Sequence, residues 1–151
     1  MSELDSLYQQ IILDHSKARQ GSGLETSIAP AGATVGESHQ VNTTCGDQIT
    51  IRVAVSGGAV EQIRWDGDGC AISMASASVL TELGQGMGVA ELRAVIDSFR
   101  ELMRSRGTLE PDEDVLGDAA AFAGVSKYPA RVKCAMLAWV AVERALAEAL
   151  A

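Results

Sequence analysis

The chain has 151 residues, 47% of them hydrophobic and only 4% aromatic, with a formal net charge of −8. That length suits one domain over residues 1–151, with a core built mainly from Ala, Val, Leu and Ile. The acidic balance excludes a nucleic-acid or anionic-membrane partner, because a phosphate-binding face needs clustered Lys and Arg.

Met1-Ser-Glu-Leu-Asp lacks a basic stretch followed by an apolar run, so no signal peptide and a cytoplasmic setting are expected. Apolar residues at Leu4, Leu7, Tyr8, Ile11 and Ile12 fall on one face of a helix running to about Arg19. Residues 20–36 read as a loop from their Gly, Ser and Pro content. Strand signals follow at Ser38–Thr44, Gln48–Val55 and Val60–Trp65. Gly57-Gly58 makes the tight turn between the second and third, and the third alternates with a slip of one. Helices are expected at Ala71–Leu83, Gly88–Arg104, 113–123 and Pro129–Leu150. The last is interrupted by Glu143, Arg144 and Glu148 and is too short in apolar length to span a bilayer. Residues 105–127 read as an insertion or mobile segment. Strands followed by helices predict an α+β domain: a small three-stranded antiparallel sheet covered by about five helices.

The three cysteines carry the chemistry. In the cytoplasm an odd set of thiols reads as metal-binding or reactive rather than as a disulfide framework. Cys45 and Asp47 are expected on a loop between strands, flanking Gly46. Residues two apart in extended chain point the same way, so thiol and carboxylate can face one point. Cys70 opens a helix, with Asp68 as its expected N-cap, and Cys134 lies near the start of the last helix. Helix N-termini favour thiolates, and the thiolate is both metal ligand and nucleophile. Three thiols plus Asp47 supply four ligands, as a tetrahedral zinc or an iron–sulfur centre requires. Four negative ligands against a divalent cation leave a charge of about −2, which Arg131 or Lys133 could offset. The opposing reading is three buried cysteines packed as small hydrophobes, since no C-x-x-C spacing is present.

Other residues read more plainly. His15 closes the first helix in a structural or partner-facing role, and His39 starts a strand. Trp65 and Trp139 are expected core anchors, and Ser73, Ser76 and Ser78 small packing residues. Gly84–Gly88 is a turn and not a phosphate loop, because no strand precedes it and no Lys follows. Glu110–Asp114 reads as an acidic, solvated turn.

Three blocks together resemble a known family. They are Cys45-Gly-Asp47, then Gly67-Asp-Gly-Cys-Ala-Ile-Ser73 continuing to Ser78, and Arg131-x-x-Cys-Ala-x-Leu-Ala-Trp139. They are similar to the signature blocks of the U-type iron–sulfur assembly proteins, which include the IscU scaffolds and the NifU N-terminal domain. Leu7-Tyr-x-x-Ile-Ile-Leu-Asp-His15 resembles that family's first helix, and the likeness spans about residues 4–146. Lys133, where IscU scaffolds carry His, and the extra segment 105–127 resemble the SufU branch.

The resemblance implies zinc held by Cys45, Asp47, Cys70 and Cys134. It also implies persulfide sulfur accepted from a SufS-type, PLP-dependent cysteine desulfurase whose turnover is enhanced. A His of that partner would replace one zinc-bound cysteine. Cys45 is then the expected acceptor, Cys134 the alternative, and Arg131 a neighbour of the ligands. The family also implies a second role, a scaffold on which an iron–sulfur cluster is transiently built. Two positions depart from the family: Thr43 stands where Pro is usual, and the first helix ends Ser16-Lys-Ala-Arg19 without the proline often found there.

Overall fold

The computed structural model describes residues 2–151. Helix α1 (Glu3–Ala18) opens with a capping box: Ser2 Oγ accepts from the Asp5 N–H and the Asp5 carboxylate accepts from the Ser2 N–H. Strands β1 (Thr34–Asn42), β2 (Asp47–Ser56) and β3 (Ala59–Asp68) form an antiparallel sheet in that order. Helices α2 (Ala71–Gly84), α3 (Val89–Arg104), α4 (Glu113–Leu116) and α5 (Pro129–Ala149) follow, with 3-10 turns over Gly117–Lys127 between the last two. The α+β architecture with three strands and five helices is the one expected. Among the described residues no helix is long and apolar enough to cross a membrane.

One sheet face is apolar. Ile49, Ile51, Val53 and Val55 of β2 and Val60, Ile63 and Trp65 of β3 are buried against the helices. The slip in β3 is a bulge: Ala54 faces Gln62 while Val55 faces Val60, leaving Glu61 over. The free edge of β3 is covered. Trp65 exchanges backbone hydrogen bonds with Gly21 and Gly23, and Val60 with Gly86 and Met87. The Gly84–Gly88 turn thus serves to cap a sheet edge.

Helix α5 crosses β1 and β2, and the approach is close. A Cβ at Gly36 would overlap the Ala145 carbonyl, so only glycine admits α5 there. Residues 34–36, expected at the end of the 20–36 loop, lie inside β1, which starts at Thr34 and ends at Asn42 rather than Thr44. Helix α2 is buried on nearly every side, between α1, α5, β3 and the 3-10 segment. Its serines are polar connectors rather than inert fillers. Ser76 Oγ donates to the Ala135 carbonyl at 2.6 Å and accepts from Trp139 Nε1 at 2.9 Å. Ser78 Oγ accepts from the Gln20 N–H at 3.0 Å and meets His15 Nδ1 at 2.8 Å. Both tryptophans are core anchors; Trp139 stacks on Phe99 with centroids 4.1 Å apart.

The segment expected as insertion or mobile is partly core. Leu116, Ala119, Ala120 and Phe122 are buried, and Phe122 meets Phe99 edge-on at 5.9 Å. The expected helix over 113–123 is instead one α-turn followed by 3-10 turns, because Gly117 and Gly124 interrupt an α-helical run.

Candidate metal centre

Asp47, expected on the loop, is the first residue of β2, paired opposite Asn42 at the end of β1. Residues 43–46 make the connecting turn, and Cys45 sits exposed within it. Gly46 has φ 79°, a conformation costly for any residue with a Cβ. The Asn42 carbonyl accepts from the Gly46 N–H at 2.8 Å and closes the turn.

Cys70 is itself the N-cap of α2, and its side chain makes no capping bond. Asp68, expected in that place, is the last residue of β3. The cap comes from across the sheet. Asp47 Oδ1 accepts from the Cys70 N–H at 3.0 Å, so a carboxylate 23 residues away serves the helix N-terminus. Ser73 Oγ donates to the other carboxylate oxygen, Oδ2, which lies 3.6 Å from Cys70 Sγ. Gly69 makes this arrangement fit, since a Cβ there would stand 2.8 Å from Asp47 Oδ1.

Cys134 is the sixth residue of α5, one full turn in, and is buried. The helix-start argument therefore does not reach it. Its Sγ lies 3.7 Å from Cys45 Sγ, 3.8 Å from the Ala130 carbonyl and 3.9 Å from Asn42 Nδ2. The sulfurs of Cys45 and Cys134 and a carboxylate oxygen of Asp47 lie within 4.8 Å of one another. Cys70 joins them through Asp47. The fold thus brings together all four residues singled out from the sequence.

Electrostatics follow from that crowding. Burial pushes the Cys134 thiol up to about 12, and Asp47, Cys45 and Cys70 push in the same direction. Burial also raises Asp47, but hydrogen bonds from Ser73, Cys45, the Cys70 N–H and Cys134 outweigh it, and the carboxyl is held below its ordinary value. Three thiols around one ionised carboxylate form a donor set matched to a thiophilic divalent cation. Such a cation would replace the proton that keeps the buried Cys134 thiol neutral.

Arg131 and Lys133 are exposed, and among the described residues no hydrogen bond or ion pair joins either to the four donors. Arg131 instead lines a largely apolar groove of about 880 Å³ with Ile12, Ile72, Val125 and Tyr128. His39 lies in the middle of β1, not at a strand start, with Nδ1 2.8 Å from Thr50 Oγ1. His15 is buried, and its Nε2 lies 3.0 Å from Asp118 Oδ2. Sequence reasoning missed Asn42 and the polar role of Ser73. Asn42 precedes Cys45 by three residues and Ser73 follows Cys70 by three, and a short polar residue that close to a candidate ligand was the available signal.

This small α+β domain gathers three thiols and a carboxylate at one end of its sheet, a donor set that could hold a metal ion. The chain belongs to the family described as the NifU-like N terminal domain, which it matches over residues 7–135. It is 38% identical over 149 residues to the zinc-dependent sulfurtransferase SufU of Bacillus subtilis (strain 168), covering 97% of this chain and 94% of that protein. It is 36% identical over 147 residues to the iron–sulfur cluster assembly scaffold protein IscU of Streptococcus pyogenes serotype M1, covering 97% and 86%. A crystal structure from Fervidobacterium islandicum AW-1, described as a candidate iron–sulfur cluster assembly scaffold protein for the SUF system, superposes with a TM-score of 0.75 at 33% identity, over 91% of this chain and 94% of that one. The N-terminal NifU-like protein of Brucella abortus superposes at 0.78 and 24% identity over 99% and 98%, a likeness of fold alone.

Proposed function

We propose that the chain is a zinc-dependent sulfur acceptor in iron–sulfur cluster assembly, working in the cytoplasm with a SufS-type, PLP-dependent cysteine desulfurase. Cys45, Asp47, Cys70 and Cys134 are the zinc ligands in this reading. When bound, zinc keeps the thiols deprotonated and adds no redox chemistry of its own.

One observation carries the proposal: the four donors are unequally held. Asp47 and Cys134 are buried and Cys70 half-buried, each fixed to a strand or helix, whereas Cys45 is exposed in a four-residue turn. A turn moves more readily than a helix, so Cys45 is the thiolate that can leave and react. Its sulfur attacks the outer sulfur of the partner's cysteine persulfide. A new S–S bond forms on Cys45, the partner's S–S bond breaks, and the partner cysteine departs as thiolate. Cys134 is the alternative acceptor, but its burial disfavours approach. Arg131 is exposed on the groove beside the Cys70 and Cys134 segments, so its charge is open to an acidic group of the partner in this reading.

The likeness to SufU at 38% identity, with Lys133 in place of His, supports sulfur transfer over the alternative, a scaffold for an iron–sulfur cluster. The test is metal analysis of protein purified without added metal, paired with persulfide mapping after incubation with a desulfurase and cysteine. About one zinc per chain and sulfur on Cys45 is the expected result. Iron with sulfide and a coloured spectrum would instead establish the scaffold, and zinc inert toward persulfide would leave a structural site.

A further inference from the structure

Asn42 is a buried polar side chain at the junction of the site, and the mechanism above does not use it. It ends β1 opposite Asp47. Its Oδ1 accepts from the Thr44 N–H at 3.2 Å, a local turn bond of the kind Asn favours. That bond settles which way the amide faces. The oxygen is taken by the turn, so the NH₂ group points to α5, where Nδ2 lies 3.9 Å from Cys134 Sγ.

The three thiols differ in what donates to them. The other group at hydrogen-bond reach of Cys134 on its own helix is the Ala130 carbonyl, an acceptor that offers a thiolate nothing. Cys70 has the Ser73 hydroxyl 3.5 Å away, but that proton is committed to Asp47. Cys45 meets the Cys134 sulfur and no N–H or O–H donor among the described contacts. Asn42 is therefore the neutral donor aimed at one particular sulfur.

We propose that Asn42 is a positioning residue that decides which cysteine reacts. Its amide N–H donates to the Cys134 thiolate in the metal-loaded protein. It draws electron density from that sulfur, lowers its nucleophilicity, and leaves Cys45 as the more reactive ligand. The inference rests on the metal-site reading above.

The test uses the full chain loaded with Co²⁺ and needs no desulfurase. Asn42→Ser keeps an oxygen for the Thr44 N–H, because Ser makes the same kind of turn, but it cannot reach Cys134. Asn42→Ala removes both bonds. Loss of the donor raises the energy of the sulfur electrons, so the sulfur-to-cobalt absorption band of Asn42→Ser moves to lower energy. The ratio of Cys45 to Cys134 alkylation by iodoacetamide, read by peptide mass spectrometry, falls about tenfold, the scale of one hydrogen bond to a charged group. Asn42→Ser that matches the native protein in both readouts, with Asn42→Ala merely less stable, would reduce Asn42 to a turn former and overturn the proposal. Should neither variant fold, the native protein loaded with ¹¹³Cd decides. Scalar coupling or a downfield shift at the Asn42 amide protons supports the bond, and absence of both overturns it. A native protein that shows no sulfur-to-cobalt band at all sinks the metal reading together with this one, whereas an intact native band with a silent variant sinks this one alone.

Discussion

Gly69 and Asp47 occupy positions that exclude any larger residue at 69: a Cβ there would stand 2.8 Å from the Asp47 carboxylate. The glycine before Cys70 and the carboxylate after Cys45 are thus one device. Asp47 reaches the N-terminus of α2 only because position 69 lacks a side chain.

Gly69→Ala is expected to displace the carboxylate while leaving the core intact. Zinc affinity measured by chelator competition falls by about 10- to 100-fold, the usual cost of disturbing a ligand's support. Unchanged affinity would show that Asp47 is not a ligand.

Metal binding should strengthen with pH. Cys134 stands at about 12 against an ordinary 9.0, so its proton stays on at neutral pH and the metal must displace it. The sign for the apoprotein follows. A pKa raised in the folded state favours the neutral thiol, so the contribution to stability is complete below about 9 and is lost as pH rises through about 12. Between pH 6 and 8, chelator competition should show affinity rising about tenfold per unit for this one proton. In the apoprotein iodoacetamide should label Cys45 well before Cys134. A flat pH profile would contradict displacement of the buried proton.

Gly36→Ala drives a methyl group into the Ala145 carbonyl and forces α5 off β1. Overpacking at backbone predicts a loss of about 3 kcal/mol in urea melts. A loss under about 0.5 kcal/mol would mean that α5 shifts freely on the sheet.

His15 ties three elements together, with Nδ1 at Ser78 of α2 and Nε2 at Asp118 of the 3-10 segment. His15→Ala removes both ties and should cost about 2 kcal/mol. At this chain length that lowers the melting temperature by about 5 °C. Zinc affinity should stay unchanged, and a matching drop would reveal coupling between α1 and the site.

The sheet and its hairpins were legible because alternation of Ile49, Ile51 and Val53 and the Gly57-Gly58 pair are local signals. The break at 117–127 was only partly legible. Its alanines and Phe122 look like surface helix or insertion until the aromatic stack with Phe99 and Trp139 is assembled.

The four donors were legible as residue types, because three cysteines and a nearby carboxylate in an acidic, cysteine-poor chain have few other readings. The chain alone dictates that chemistry, along with the periodicities that make each strand and helix. Only the tertiary structure decided how the donors differ. Burial, the cross-sheet cap at Cys70 and the direction of the Asn42 amide arise from contacts between residues 23 to 92 positions apart. No local pattern encodes contacts at that separation, because they exist only once α5 and α2 have packed against the sheet.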